Sequence, residues 1–165
     1  MVLSFIFATD LHGSRTKMTS LVKKAIEEDV DMVLLGGDLF RSGSSNTIDS
    51  QRRVLNELQA LGDIGGKLLI SHTPPAGTLC DMGHDGEHLG FTDLREHVLE
   101  QAPEAVLSGH IHESPAMSGR VLDRLGGSII ANPGSVPDRL SYIGVTMGRK
   151  DLTGRGILME THIVK

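Results

Sequence analysis

Six side chains stand out as donors able to share a metal ion or a proton: Asp10, His12, Asp38, His72, His110 and His112. Carboxylate oxygens and imidazole nitrogens are the ligands that divalent transition metals take. In the run Ala8-Thr9-Asp10-Leu11-His12-Gly13, residues two apart point the same way in extended chain, so Asp10 and His12 can reach one ion together. The same spacing pairs the imidazoles of Ser108-Gly109-His110-Ile111-His112-Glu113. In Gly36-Gly37-Asp38-Leu39-Phe40 the glycines permit close backbone packing under a carboxylate with two oxygens to offer. In Ser71-His72-Thr73-Pro74-Pro75 the prolines stiffen the chain just past the histidine. Taken singly, each motif has a plain alternative: a strand-end turn, a helix-capping Asp, a structural His, or surface histidines. Asn132-Pro133-Gly134-Ser135 reads first as a turn, with at most a supporting role.

Apolar runs place these residues. Val2–Ala8, Met32–Leu35, Lys67–Ser71 and Ala105–Ser108 read as strands, and Asp10, Asp38, His72 and His110 follow them closely. Helices are expected over Thr16–Glu28, with an apolar stripe of Leu21, Val22, Ala25 and Ile26, over Thr47–Leu61, and over Phe91–Gln101, which stops before Pro103. The segment Thr73–Gly90 is expected to be an ordered loop over a site. Beyond His112 the alternation gives way to strands at Val121–Leu122, Ser128–Ala131, Tyr142–Met147 and Ile157–Val164, expected to form a meander. Strand ends in an open α/β sheet converge on one crevice, which is what a shared metal site requires.

The chain of 165 residues suffices for one domain, 1–165, with an aliphatic core, since it has no Trp and one Tyr. A net charge of −5 argues against broad nucleic-acid binding and leaves small phosphorylated substrates open, because a bound metal can supply positive charge. Cys80 is the single cysteine, so an internal disulfide is excluded. Val2–Ala8 is too short to span a bilayer, and a cytoplasmic protein is expected.

In combination and order, Asp-x-His, Gly-Asp, a later His and Gly-His-x-His resemble the calcineurin-like metallophosphoesterases, over roughly Leu3 to Ser135. His-Thr-Pro-Pro and Gly-His-Ile-His-Glu-Ser look particularly like small prokaryotic and archaeal members. The resemblance implies an α/β fold, a β-sandwich flanked by helices in α-β-β-α layers. It implies a dinuclear site with ions about 3.5–4 Å apart. Asp10, His12 and His112 would hold the first metal, Asp38 would bridge, and His72 and His110 would hold the second. A nitrogen and oxygen set without thiolate suits Mn, Fe, Zn or Ni. The implied reaction is phosphate-ester hydrolysis, as a phosphodiesterase or a monoesterase, by a metal-activated hydroxide attacking in line. Arg41 either contacts phosphate or is an ordinary surface residue.

The family's Gly-Asn-His or Gly-Asn-x-Asp/Glu motif is absent. Only 33 residues (39–71) separate Asp38 from His72, so a segment with its central strands is missing near Ile64–Gly65. The second ion would lose one protein ligand, and Asn46, Asn56 and Asp63 are not expected to replace it. In its place His88, within His-Leu-Gly, is a better candidate than His84 for a proton donor or metal-site neighbour. His97 and His162 are expected to be structural or exposed. The competing reading is a degenerate metal-binding or scaffold member with little turnover. A homodimer through the C-terminal strands is one further option.

Overall fold

The computed structural model describes residues 3–39, 67–150 and 154–163, with 149–150 and 154–163 as backbone. The expected helix Thr47–Leu61, Arg41, Asn46, Asn56, Asp63 and the His162 side chain lie outside the described residues.

The described elements are β1 (Leu3–Ala8), α1 (Arg15–Glu27), β2 (Met32–Leu35), β3 (Leu68–Ile70), α2 (Thr92–Gln101), β4 (Ala105–Leu107), α3 (Ser114–Ser118), β5 (Leu122–Leu125), β6 (Ser128–Ala131), β7 (Ser141–Lys150) and β8 (Gly154–Ile163). They build two mixed sheets, β2-β1-β7-β8 and β3-β4-β6-β5. In the first, β1 runs parallel to β2 (Phe5 opposite Met32) and antiparallel to β7 (Phe5 opposite Val145). In the second, β4 runs parallel to both β3 and β6, with Val106 opposite Leu69 and Ile130.

Three apolar clusters stack these sheets into α-β-β-α layers. Phe5, Phe7, Ile143 and Val145 of the first sheet meet Leu107 and Ala131 of the second. On the first sheet's outer face, Ile6, Ala8, Leu140 and Tyr142 take Leu21 of α1. On the second sheet's outer face, Leu69, Val106, Leu125 and Ile130 take Leu94 and Val98 of α2. Every side chain from Phe5 to Ala8 is thus buried, which is why β1 reads as an unbroken apolar run.

The helix boundaries have local causes. Ser14 caps α1, its hydroxyl accepting from the Lys17 amide at 3.3 Å. Ala102 ends α2 in the left-handed conformation (φ 47°), one residue before Pro103.

Two expectations need correction. The α1 stripe is rotated: Leu21 is buried and Ala25 packs beside it, but Val22 is 53% and Ile26 74% exposed. The inward row is Lys17, Leu21 and Ala25, at four-residue spacing, and Lys17 extends it to the rim of the sheet. The C-terminal strands form two hairpins in different sheets rather than one meander. β5 and β6 join the second sheet through a Gly126-Gly127 turn, while β7 crosses over to lie antiparallel to β1 and then pairs with β8. The crossing segment carries Asn132 to Ser135 past the site.

Among the described residues β2 and β3 are edge strands, and Met32, Val33, Leu35 and Ile70 are exposed there. No helix among the described residues is long and apolar enough to cross a membrane.

Cys80 is fully buried, its thiol facing the carbonyls of Val121 and Ile130, and burial pushes its pKa up to about 12. A thiol held neutral in the fold but ionised in the unfolded chain stabilises the fold below pH 9.0, and that contribution is lost as pH rises towards 12. Native protein is therefore expected to resist a thiol-labelling reagent that reacts at once in denaturant, and C80A should flatten the loss of stability across that alkaline window. Rapid labelling of folded protein would contradict this.

Candidate metal centre

Four strand ends deliver the candidate residues to one rim. Past β1 and β2 the chain stays zipped: the Asp10, His12 and Gly13 amides donate to the carbonyls of Gly37, Asp38 and Leu39 at 3.1, 2.9 and 2.8 Å. Past β3 and β4, the Gly109 amide donates to the His72 carbonyl at 2.8 Å. Two bonds join the pairs across the sheets: the His110 amide donates to Asp10 Oδ2 at 3.1 Å, and His72 Nδ1 meets the Gly36 carbonyl at 3.3 Å.

The backbone at these points is unusual. Seven non-glycine residues among those described have positive φ, and four of them are Asp10 (55°), His12 (49°), Asp38 (44°) and His110 (67°). Left-handed backbone disfavours a side-chain-bearing residue by about 1–2 kcal/mol. Its concentration here marks a site whose geometry the surrounding fold imposes.

The side chains converge. Asp10 Oδ1 stands 3.1 Å from His112 Nε2, 3.8 Å from His72 Nε2 and 4.0 Å from His12 Nε2. Asp38 Oδ2 stands 3.7 Å from His72 Nε2 and 4.0 Å from His12 Nδ1. His12 and His112 face one another, Nε2 to Nε2, at 3.2 Å. Two triplets have donor atoms close enough to hold an ion, Asp10-His12-His112 and Asp10-Asp38-His72, with Asp10 common to both. His110 belongs to neither triplet, and its ring packs edge-on against His72 with centroids 5.0 Å apart.

Electrostatics suit a cation at this point. The Asp10 side chain is wholly buried, and its Oδ1 receives no well-directed hydrogen bond although His112 lies beside it. A buried carboxylate oxygen without a donor is costly. The Gly36 carbonyl can only accept, so His72 carries its proton on Nδ1 and turns a lone pair on Nε2 towards the carboxylates. Metal-binding histidines are oriented in this way. The donor set therefore fits divalent ions. Burial tends to raise the Asp10 pKa, but His112 and the His110 amide hold it below the ordinary carboxylate value. Asp10 in return raises His112, while burial and the neighbouring His72 lower His110.

Behind the ligands lies a support that the sequence motifs did not reveal. Lys17, buried, donates from Nζ to the Asp10 carbonyl (3.2 Å) and to Ser135 Oγ (2.7 Å), and burial lowers its pKa against the pull of Asp10 and Asp138. Its only signal was its place four residues before Leu21. Asn132, wholly buried, donates from Nδ2 to the Ile111, Cys80 and Gly109 carbonyls and accepts the Gly134 amide, which fixes the loop bearing His110 and His112. The turn after β6 does brace the site.

The remaining candidates fall elsewhere. His88 Nδ1 lies 2.8 Å from Asp81 Oδ1, within the Thr73–Gly90 loop. His84 is 74% exposed near Glu113, and His97 is buried.

At Gly37, φ is +119°, and a Cβ there would stand 2.7 Å from His72 Nδ1. Gly37→Ala should push His72 off the Gly36 carbonyl and weaken Mn²⁺ binding about 10–100-fold, the usual scale for disturbing a ligand's supporting bond. Calorimetric titration would check this, and unchanged affinity would contradict it.

Residues 3–66 match the family model described as calcineurin-like phosphoesterase. No curated protein matches the chain. Among solved structures, one crystal structure superposes with a TM-score of 0.59 at 13% identity, covering 97% of this chain and 99% of that one, a likeness of fold alone. The matched segment, which carries Asp10, His12 and Asp38, is similar to the calcineurin-like phosphoesterases, and His72, His110 and His112 lie outside it.

Proposed function

We propose that this protein is a metal-dependent phosphoesterase of small phosphorylated substrates in the cytoplasm, with two transition-metal ions held at the rim. The observation that carries the reading is Asp10, whose buried Oδ1 receives no well-directed hydrogen bond and which is common to both ligand triplets. Asp10, His12 and His112 would hold one ion. Asp38, with an oxygen facing both His12 and His72, would hold both, and His72 and His110 would take the second. Such ions, when bound, acidify water and neutralise phosphoryl charge, so hydrolysis proceeds near neutral pH. The chain's own part is to pre-align the donors. Left-handed backbone aims Asp10, His12, Asp38 and His110, while the Gly36 carbonyl fixes the His72 tautomer. Lys17 and Ser135 hold the Asp10 backbone in place. The net charge of −5 supports a small substrate over nucleic acid.

The test is hydrolysis of bis-p-nitrophenyl phosphate by chelator-stripped protein titrated with Mn²⁺, beside Asp38→Asn. Turnover restored by Mn²⁺ and lost in the variant is the expected result. Well-folded protein that binds Mn²⁺, Ni²⁺ or Zn²⁺ without turnover would overturn the hydrolase reading in favour of a metal-binding module.

A further inference from the structure

Helix α1 shows water an apolar row as well as a charged one. Met18, Val22 and Ile26 follow one another at four-residue spacing, share one flank of the helix, and are all exposed. Its charged side chains pair on the other flank, with Glu27 3.6 Å from Lys23 and 3.0 Å from Lys24. Lys17 reaches Ser135 and Glu28 bonds the Tyr142 hydroxyl, so one side of α1 is tied towards β7. The apolar row therefore leans the opposite way, over β2, on the far side of β1 in the same sheet. Strand β2 continues the patch. Val33 and Leu35 stand opposite Ile6 and Ala8, whose side chains pack with Leu21 of α1, so all four point to that face of the sheet. Val33 and Leu35 are exposed there too. Row and strand together make an apolar trough, unlike the single scattered apolar residues of an ordinary surface.

The trough is complementary to a copy of itself. A two-fold axis through Val22, perpendicular to the helix, lays one α1 antiparallel against another and sets Met18 against Ile26 of the copy. The ends then match in charge. Arg15 opens α1 seven residues before Val22, and Asp29 follows the helix seven residues after it, both exposed. The same axis sets Arg15 against Asp29 of the copy at each end. Antiparallel pairing also opposes the two helix dipoles.

We propose that this trough is the self-association surface of a homodimer, in which each copy lays its α1 into the other's trough with Val22 on the two-fold axis. The contact thus falls on α1 and β2 rather than on the C-terminal strands. Its centre is apolar and its ends are ion pairs, the usual anatomy of a core and a polar rim. One helix flank and two strand residues per copy make a small interface, so dissociation in the micromolar range is expected. Helix α1 starts at the metal rim and runs away from it, so an antiparallel pair leaves the two rims at opposite ends and open.

The experiment is sedimentation velocity of the full chain across the micromolar range. A concentration-dependent equilibrium of monomer and dimer is expected. Val22→Asp should weaken the dimer at least about 30-fold, the scale for a residue at the centre of an interface, and should leave Mn²⁺ affinity unchanged. Arg15→Glu and Asp29→Arg should each weaken it as single variants, and the double variant should recover it, because the exchanged charges still meet across the axis. Cross-linking gives a readout of geometry. Under mild oxidation Val22→Cys, in a Cys80→Ala background, should form a disulfide-linked dimer, whereas Thr16→Cys, exposed on the other flank, should not. A dimer indifferent to Val22→Asp, a charge exchange that fails to recover it, or equal cross-linking at Val22 and Thr16 would overturn the proposal. A monomer at every concentration would overturn it too, and would leave the trough to a different occupant.

Discussion

Asp10→Asn is expected to lower Mn²⁺-supported phosphoester hydrolysis by at least about 100–1,000-fold, the scale of losing one preorganised charge partner in a water-poor site. Two features of Asp10 make the effect large. It is common to both triplets, so the change removes a negative charge beside both positions at once. It is also fully buried, so water cannot readily replace the missing ligand atom. Asparagine preserves the shape and can still accept the His110 amide, which Oδ2 now does at 3.1 Å. The fold should therefore survive, and the variant should unfold at similar denaturant concentration when both proteins are metal-free. Steady-state kinetics beside calorimetric Mn²⁺ titration would check this. A variant that keeps wild-type affinity and turnover would remove Asp10 from the site.

Gly109→Ala is expected to destabilise the protein by about 1–3 kcal/mol even without metal, the range for forcing volume into a packed interior. A Cβ at this position would collide with Asp10 Oδ2, Thr9 Oγ1 and Thr9 Cγ2. Thr9 and Asp10 are both buried, so neither can swing into solvent to make room. The segments after β1 and β4 approach one another here, and the His110 amide that donates to Asp10 is the next one along the chain. One methyl group would thus part the two sheets where the ligands meet, lowering metal affinity along with stability. Gly127 is the control: a Cβ there meets nothing within 4 Å, and Gly127→Ala should change stability by less than about 0.5 kcal/mol. Chemical denaturation in chelator would separate the two, and equal stabilities would contradict the packing argument.

Much of the candidate site was legible in the sequence because its Asp and His residues sit just past apolar strands. β1 to β4 announce themselves as short apolar runs, and the polar residue types just past them have few structural reasons to recur in that order. Packing decides what periodicity leaves open. The α1 stripe could face either of two adjacent rows, and the fold turns Lys17, Leu21 and Ala25 inward because Lys17 finds acceptors at the Asp10 carbonyl and Ser135. The C-terminal strands have the alternation of a meander, yet strand partners are set by long-range contacts, and β7 finds β1 instead. Asn132 and Asp81 are isolated polar residues in loops. Only the fold reveals that each satisfies several backbone groups at once. The left-handed backbone at Asp10, His12, Asp38 and His110 leaves no mark in the sequence beyond nearby glycines.

The most direct measurement is anomalous diffraction from Mn²⁺-loaded crystals at the manganese absorption edge. Two peaks are expected at the rim, one against Asp10, His12 and His112, the other against Asp38, His72 and His110. Manganese bound elsewhere, or no peak at these side chains in well-ordered crystals, would contradict the assignment of this rim as a metal centre.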